Sequence, residues 1–322
     1  MALDPSQSSA QQAYAELKTG ALLVPLTSHT PIRVTGADRL EFLHGQVSND
    51  VKGLAVGQFN ASLMLNHKGH ALAQLKTFRR EDDVFLSVEG TKGAFVLSEL
   101  ERHIIFDQVE LGDLSGTIQK ANLQGVEATN VVKKVFGDVP TTNQFLQVPF
   151  KDAKILICSS KRSKWTGFDM HVLSKDAEDL YDTFREAGAA VANEAALEIA
   201  RVEAGIAAAE TEGGEGVLPQ EAGLEHAVSY RKGCYLGQEI MARIEARGNV
   251  RRELVGLKLA EPPNTETKDL LVEGKKVGRL GKVVEHPRLG VIALAVLRKG
   301  VEQVETTTGL TAQRVDLPFT TS

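Results

Sequence analysis

The stretch Lys232-Gly233-Cys234-Tyr235-Leu236-Gly237-Gln238-Glu239 is the most informative in this chain. Cys234 stands between a glycine and a tyrosine, just ahead of a run from Gln238 to Glu245 that has good helix formers and no breaker. That order predicts a cysteine near a helix N-terminus. There the helix dipole, with Arg231 and Lys232 beside it, favours thiolate over thiol. A small packed core cysteine fits the same spacing. Glu239 and Arg243 are four apart and share a helix face with room for a simple surface ion pair. Alternatively, with Gln238 they present carboxylate, amide and guanidinium to a polar ligand, and Gly233 and Gly237 let backbone come close to it. Cys158 lies in the apolar run Ile155-Leu156-Ile157-Cys158 and reads as a core residue.

Working outward, Arg231 to Arg252 holds six basic residues against Glu239 and Glu245, whereas the whole chain carries a net charge of -5. The overall balance argues against bulk nucleic-acid binding. The local excess suggests an anionic ligand or partner. Two cysteines are too few for a disulfide framework or for the four thiolates of an ordinary iron-sulfur site, and they suit a reducing cytoplasmic location. No metal site is expected. No apolar run approaches the roughly 20 residues that span a bilayer. Residues 1–20 have neither the basic start nor the apolar centre of a secretory signal and read as a flexible polar tail.

Farther upstream, Ile32 and Val34 suggest a strand, after which Asp38 is placed to cap a helix carrying Leu40, Phe42 and Leu43. Phe59 to Leu65 alternates in polarity, and Asn66-His67-Lys68-Gly69 supplies turn chemistry before a second extended run, which predicts a hairpin. Glu194 to Ala204 has helical spacing, so Glu203 could be one exposed charge on that helix. Gly112 to Thr142 sustains neither period. Beyond Arg252, short strand candidates separated by Gly, Pro and charged turns predict a small all-β unit.

The string Lys232 to Glu239 resembles the signature of the YgfZ folate-binding proteins, relatives of the T-protein (aminomethyltransferase) of the glycine cleavage system. Arg39 to Asp50, Leu65 to Gly69, Arg201 to Ile206 and Leu218 to Glu221 are similar to further stretches of that family. The resemblance implies an α+β fold of three subdomains in a ring: a folate-binding core of two intertwined α+β subdomains over 21–250 and a small C-terminal β-barrel over 251–322. It implies tetrahydrofolate as the bound factor, with Glu203 matching the position whose carboxylate contacts the pterin ring. Asn66, Lys232, Gln238, Glu239 and Arg243 complete the expected folate-contacting set, Cys234 is the expected functional thiol, and the basic stretch Arg231 to Arg252 is expected to take the glutamate tail of folate or an acidic partner.

Departures from the pattern bear on the chemistry. Where the T-protein has two acidic residues after the hairpin turn, one of them catalytic, this chain has Ala73 and Gln74, neither able to act as a carboxylate base. Ala207 stands where the family usually has proline. The resemblance therefore implies a folate-binding protein serving iron-sulfur client or assembly proteins, with a link to tRNA modification and without T-protein aminomethyl transfer. Two alternatives are a folate-dependent one-carbon transferase or demethylase, and a folate-carrying module in which Cys234 is only structural. No direct nucleic-acid contact and no membrane partner are expected.

Overall fold

The computed structural model describes residues 5–248, 250–264 and 267–320. Helix α1 (Pro5–Thr19) leads into strand β1 (Leu22–Leu26), which starts one sheet and leaves it at once. Strands β2 (His29–Thr35), β3 (Phe59–Leu65), β4 (Ala71–Arg79), β5 (Val84–Glu89) and β6 (Glu110–Asp113) form a second, antiparallel sheet in the order β3-β4-β5-β2-β6. Helices α2 (Arg39–Gln46) and α3 (Gly93–His103) close its apolar face around Ile32, Leu43, Leu75 and Val96.

The chain then returns to the first sheet with β7 (Ile118–Gln124), β8 (Phe145–Phe150), β9 (Ala153–Ser159), β10 (Gly167–Leu173) and β11 (Ala190–Val191), in the order β11-β1-β7-β10-β9-β8. Helices α4 (Ala128–Phe136) and α5 (Ala177–Ala187) pack on it through Val132, Leu180 and Phe184. Helix α6 (Glu194–Glu203) is capped by Asn193, whose Oδ1 accepts from Ala195 N at 3.1 Å. A long loop leads to α7 (Gln238–Arg247). The strands β12 (Arg252–Leu259), β13 (Asp269–Val272), β14 (Lys275–His286), β15 (Gly290–Arg298), β16 (Gln303–Thr306) and β17 (Thr311–Val315) close a barrel. Among the described residues no helix is long and apolar enough to cross a membrane.

Three readings of the sequence need correction. The expected flexible tail is mostly helix α1: Ala10, Tyr14 and Leu17 fall at i, i+4 and i+7 and are buried against α6 and β1. Its Ser- and Gln-rich composition hides an apolar stripe of the correct period; residues 1–4 lie outside the described residues. Asp38 precedes α2 without capping it, and its Oδ2 instead accepts from Gln108 N at 2.8 Å. The region from Gly112 to Thr142, which showed no period, holds β7 and α4. Strand β7 is buried on both faces, Ala121 and Leu123 in one core, Lys120, Asn122 and Gln124 against polar partners. A strand with two buried faces, one of them polar, shows no hydrophobic alternation.

Candidate functional site

Where the two sheets, α6 and the barrel meet they enclose a cavity of about 1350 Å³. Its wall is built from β4 (Ala73 to Lys76), the β9–β10 connection (Ser159 to Gly167), α6 with its following loop, and the C-terminal half of β14 (Lys282 to Glu285). Alternation along β4 turns Gln74 and Lys76 toward the same face. The positions matched to the T-protein's acidic pair, Ala73 and Gln74, both line this cavity, and Gln74 Oε1 accepts from Ala209 N at 3.2 Å.

Charge is concentrated in the wall. Lys76 Nζ lies 2.8 Å from Asp169 Oδ2, and Lys120 Nζ lies 2.5 Å from Glu89 and 3.3 Å from Asp169. Arg162 reaches Glu89 at 2.7 Å through Nη2 and Asp169 at 3.1 Å through Nε. Asn122, opposite Asp169 in the β7–β10 register, donates to its Oδ1 at 2.7 Å. These groups join the two sheets by a polar seam, with Lys120 fully buried. Burial alone would raise both carboxyls, but Arg162 and Lys120 outweigh it: Glu89 is held at about 2 and Asp169 well below the ordinary range. Burial pushes the Cys158 thiol up to about 11, so it stays neutral although its Sγ sits 3.6 Å from Lys76 Nζ.

On α6, Glu198 pairs with Arg201 at 2.9 Å and Arg201 with Glu212 at 2.9 Å; Glu198 and Arg201 both line the cavity. Glu203 is almost wholly buried and is absent from the lining. Its Oε2 accepts from Tyr14 Oη at 2.7 Å, and its Oε1 from Lys164 Nζ at 2.9 Å. His286 Nε2 lies 3.1 Å from the same tyrosine oxygen. Lys164 does line the cavity, so Glu203 stands one side chain behind the wall. A carboxylate has four lone-pair sites, of which these two contacts use half.

The other expected contacts gather elsewhere. Asn66 Oδ1 accepts from Lys68 N and His70 N at 2.9 and 3.0 Å, holding the β3–β4 turn. Lys232 is buried with its ammonium donating to the carbonyls of His44 and Val47 at the end of α2. Gln238 donates to Lys232 O at 3.3 Å. Glu239 and Arg243 form an exposed i,i+4 pair at 2.9 Å, 85% and 50% accessible. Gly237, at φ +86°, makes room for the hairpin rather than for a ligand, since a Cβ there would lie 2.7 Å from Asn66 O. Cys234 is exposed at this outer face, four residues ahead of α7.

None of Asn66, Lys232, Gln238, Glu239, Arg243 and Cys234 lines the central cavity. The basic stretch from Arg231 to Arg252 is absent from its wall too, and Arg252 is engaged by Glu221 at 2.6 Å. Sequence reasoning missed Lys76, Glu89, Arg162, Trp165 and Glu198, which sit outside the family-like strings. The signal available for Lys76 was the period-2 alternation that places it on the Gln74 face of β4.

The family model described as the GCVT N-terminal domain matches residues 4–232. A chloroplastic Arabidopsis thaliana protein named as a transferase is 27% identical over 84% of this chain and 63% of its own length. The tRNA-modifying protein YgfZ of Hamiltonella defensa is 28% identical over 70% of this chain and 66% of its own. The chain therefore spans just under two thirds of either relative. In the crystal structure of the glycine cleavage system aminomethyltransferase T from Bartonella henselae, the same fold recurs with a TM-score of 0.81, over 97% of this chain and 89% of that one, at 21% identity.

Proposed function

The chain belongs to the GCVT N-terminal domain family as a YgfZ-like relative of the T-protein, and from that premise we propose that it binds tetrahydrofolate in the central cavity without aminomethyl transfer. On this reading the bound protein supports assembly or repair of iron-sulfur proteins and, through enzymes that depend on such clusters, tRNA modification. The observation that carries the reading is the composition of the wall at one place. Ala73 and Gln74 line the cavity where the T-protein pattern has its acids, and a methyl and a carboxamide cannot take a proton as a general base.

The remaining wall has groups that suit a folate. Phe59 and Trp165 supply aromatic faces. Glu198, held ionised by Arg201 against the effect of its burial, supplies a carboxylate for the paired N–H donors of a pterin, and Glu203 acts from behind the wall by holding Lys164. Bound tetrahydrofolate would supply a carrier for one-carbon units. Cys234, free and exposed on the outer face, is the thiol assigned to the client side of this function.

The assay is direct. Purified protein incubated anaerobically with tetrahydrofolate and an aminomethyl or N-methyl donor is expected to transfer no one-carbon unit. Cells lacking the protein are expected to regain iron-sulfur enzyme activity with the wild type and not with Cys234→Ser. Sustained one-carbon turnover would replace this reading by a transferase or demethylase; full recovery with Cys234→Ser would leave a folate-carrying module with a structural cysteine.

A further inference from the structure

The ion pairs around the cavity close on themselves with one exception. Arg201 and Lys282 face Glu198 and Glu212, two charges of each sign. Lys164 faces Glu203 alone. In the inter-sheet seam, however, the ion pairs of Lys76, Lys120 and Arg162 among the described residues are with Glu89 and Asp169 alone, which leaves one positive charge in excess at contact distance; Glu198, already paired with Arg201, feels Arg162 from farther off. Cys158 does not supply the missing anion, because its thiol is neutral.

An uncompensated buried charge is costly, and a site of this kind is completed by a counter-ion. The hydrogen bonds indicate from which side it comes. Lys76 Nζ has three partners, Cys158 Sγ, Ser159 O and Asp169. Lys120 Nζ also has three, Ser87, Glu89 and Asp169. Arg162 uses Nε and Nη2 on the two carboxylates, and among the described residues its Nη1 has no hydrogen bond. The arginine side chain is 20% accessible and forms part of the cavity wall, with Lys161 and Ser163, which also line it, on either side in sequence.

We infer that Arg162, at the edge of this seam, is the anion-recognising residue of the cavity and takes a carboxylate of the ligand's glutamate tail. The assignment rests on the folate reading and moves the tail from the outer basic stretch between Arg231 and Arg252 to the inner wall. With Nε and Nη2 fixed on Asp169 and Glu89, Nη1 is held in a set direction and offers its N–H donors to a ligand carboxylate, an arrangement that the single ammonium of a lysine could not reproduce.

The test compares tetrahydrofolate with tetrahydropteroate, the same ring system without glutamate, by anaerobic calorimetry on the full chain. Hydrogen bonds to charged groups of this type correspond to roughly tenfold to hundredfold in affinity, so wild type is expected to prefer tetrahydrofolate by about that factor. Arg162→Gln leaves two lysines facing two carboxylates, a balanced seam, and is expected to bind both compounds alike. Thermal melting reports whether it folds. Should it not, Arg162→Lys keeps the charge without the planar fork and is expected to lose at least about threefold of the preference. Equal binding of both compounds by wild type, or an undiminished preference in the folded variant, overturns the assignment while leaving the folate reading intact. Binding of neither compound by wild type removes the folate reading and this inference with it.

Discussion

Glu89 illustrates how a single residue here ties stability to pH. Burial works against its charge, yet Arg162 and Lys120 hold its carboxyl at about 2, from an ordinary value of 4.5. Between those two values the unfolded chain binds the proton that the folded chain refuses, so the Glu89 contribution to stability falls as pH falls through that window and is constant above it. His29 and His171, which burial holds below their ordinary value of 6.5, act in the same direction at higher pH, so melting temperature is expected to begin to decline below about pH 7 and to decline further from about pH 5 toward pH 2 as the Glu89 contribution is lost. In Arg162→Gln the folded carboxyl loses the guanidinium that attracts it most strongly, the window narrows, and less stability is lost across it. A variant profile that overlays the wild type would show that the seam is not what holds Glu89 ionised. Little of this was legible in the sequence. Lys76, Lys120, Arg162 and Asp169 are scattered over four segments; strand pairing in one sheet gathers Lys120, Arg162 and Asp169, and packing of the other sheet adds Lys76, each cation lying within 3.3 Å of Asp169. Glu203 was legible through its surrounding string, but its partners Tyr14 and His286 come from the two ends of the chain.

At the level of elements, the hairpin, the helix carrying Glu203 and the C-terminal strands followed from local period and turn chemistry. Helix α1 did not, because polar composition masked its stripe of Ala10, Tyr14 and Leu17. Leu17 is fully buried, so Leu17→Ala is expected to cost about 2–5 kcal/mol in chemical denaturation; a loose tail would tolerate it within about 0.5 kcal/mol. The cysteine segment is held by its seat on the β3–β4 turn, where Gly69 (φ +75°) and Gly237 (φ +86°) bring two backbones together. Gly237→Ala meets both a strained backbone angle and a Cβ 2.7 Å from Asn66 O. It is expected to destabilise by more than about 1 kcal/mol and to raise the rate at which Cys234 is alkylated. Unchanged stability and alkylation would show that the seat does not need glycine. The sequence had suggested that this glycine served a ligand, since the requirement for close approach reads identically whatever approaches.

For the whole molecule, the three sheets and α6 meet around one cavity, and the cysteine face lies outside it. The cavity and the exposed thiol are thus separate surfaces of one scaffold, and on the proposed reading the first holds the small molecule and the second meets the clients. The T-protein-like architecture was legible because a run of short motif matches extended from Arg39 to Glu239. The composition of the cavity was not, because its wall draws on parts of the chain that no motif covers. The protein has a single tryptophan, Trp165, and it lines the cavity. The most direct measurement is therefore an anaerobic tetrahydrofolate titration followed at once by calorimetry and by Trp165 fluorescence, on wild type and Glu203→Gln. The account predicts one binding event per chain, a matching change in Trp165 emission, and weaker binding in the variant. No heat, or heat with Trp165 emission unchanged, would contradict a folate site in this cavity.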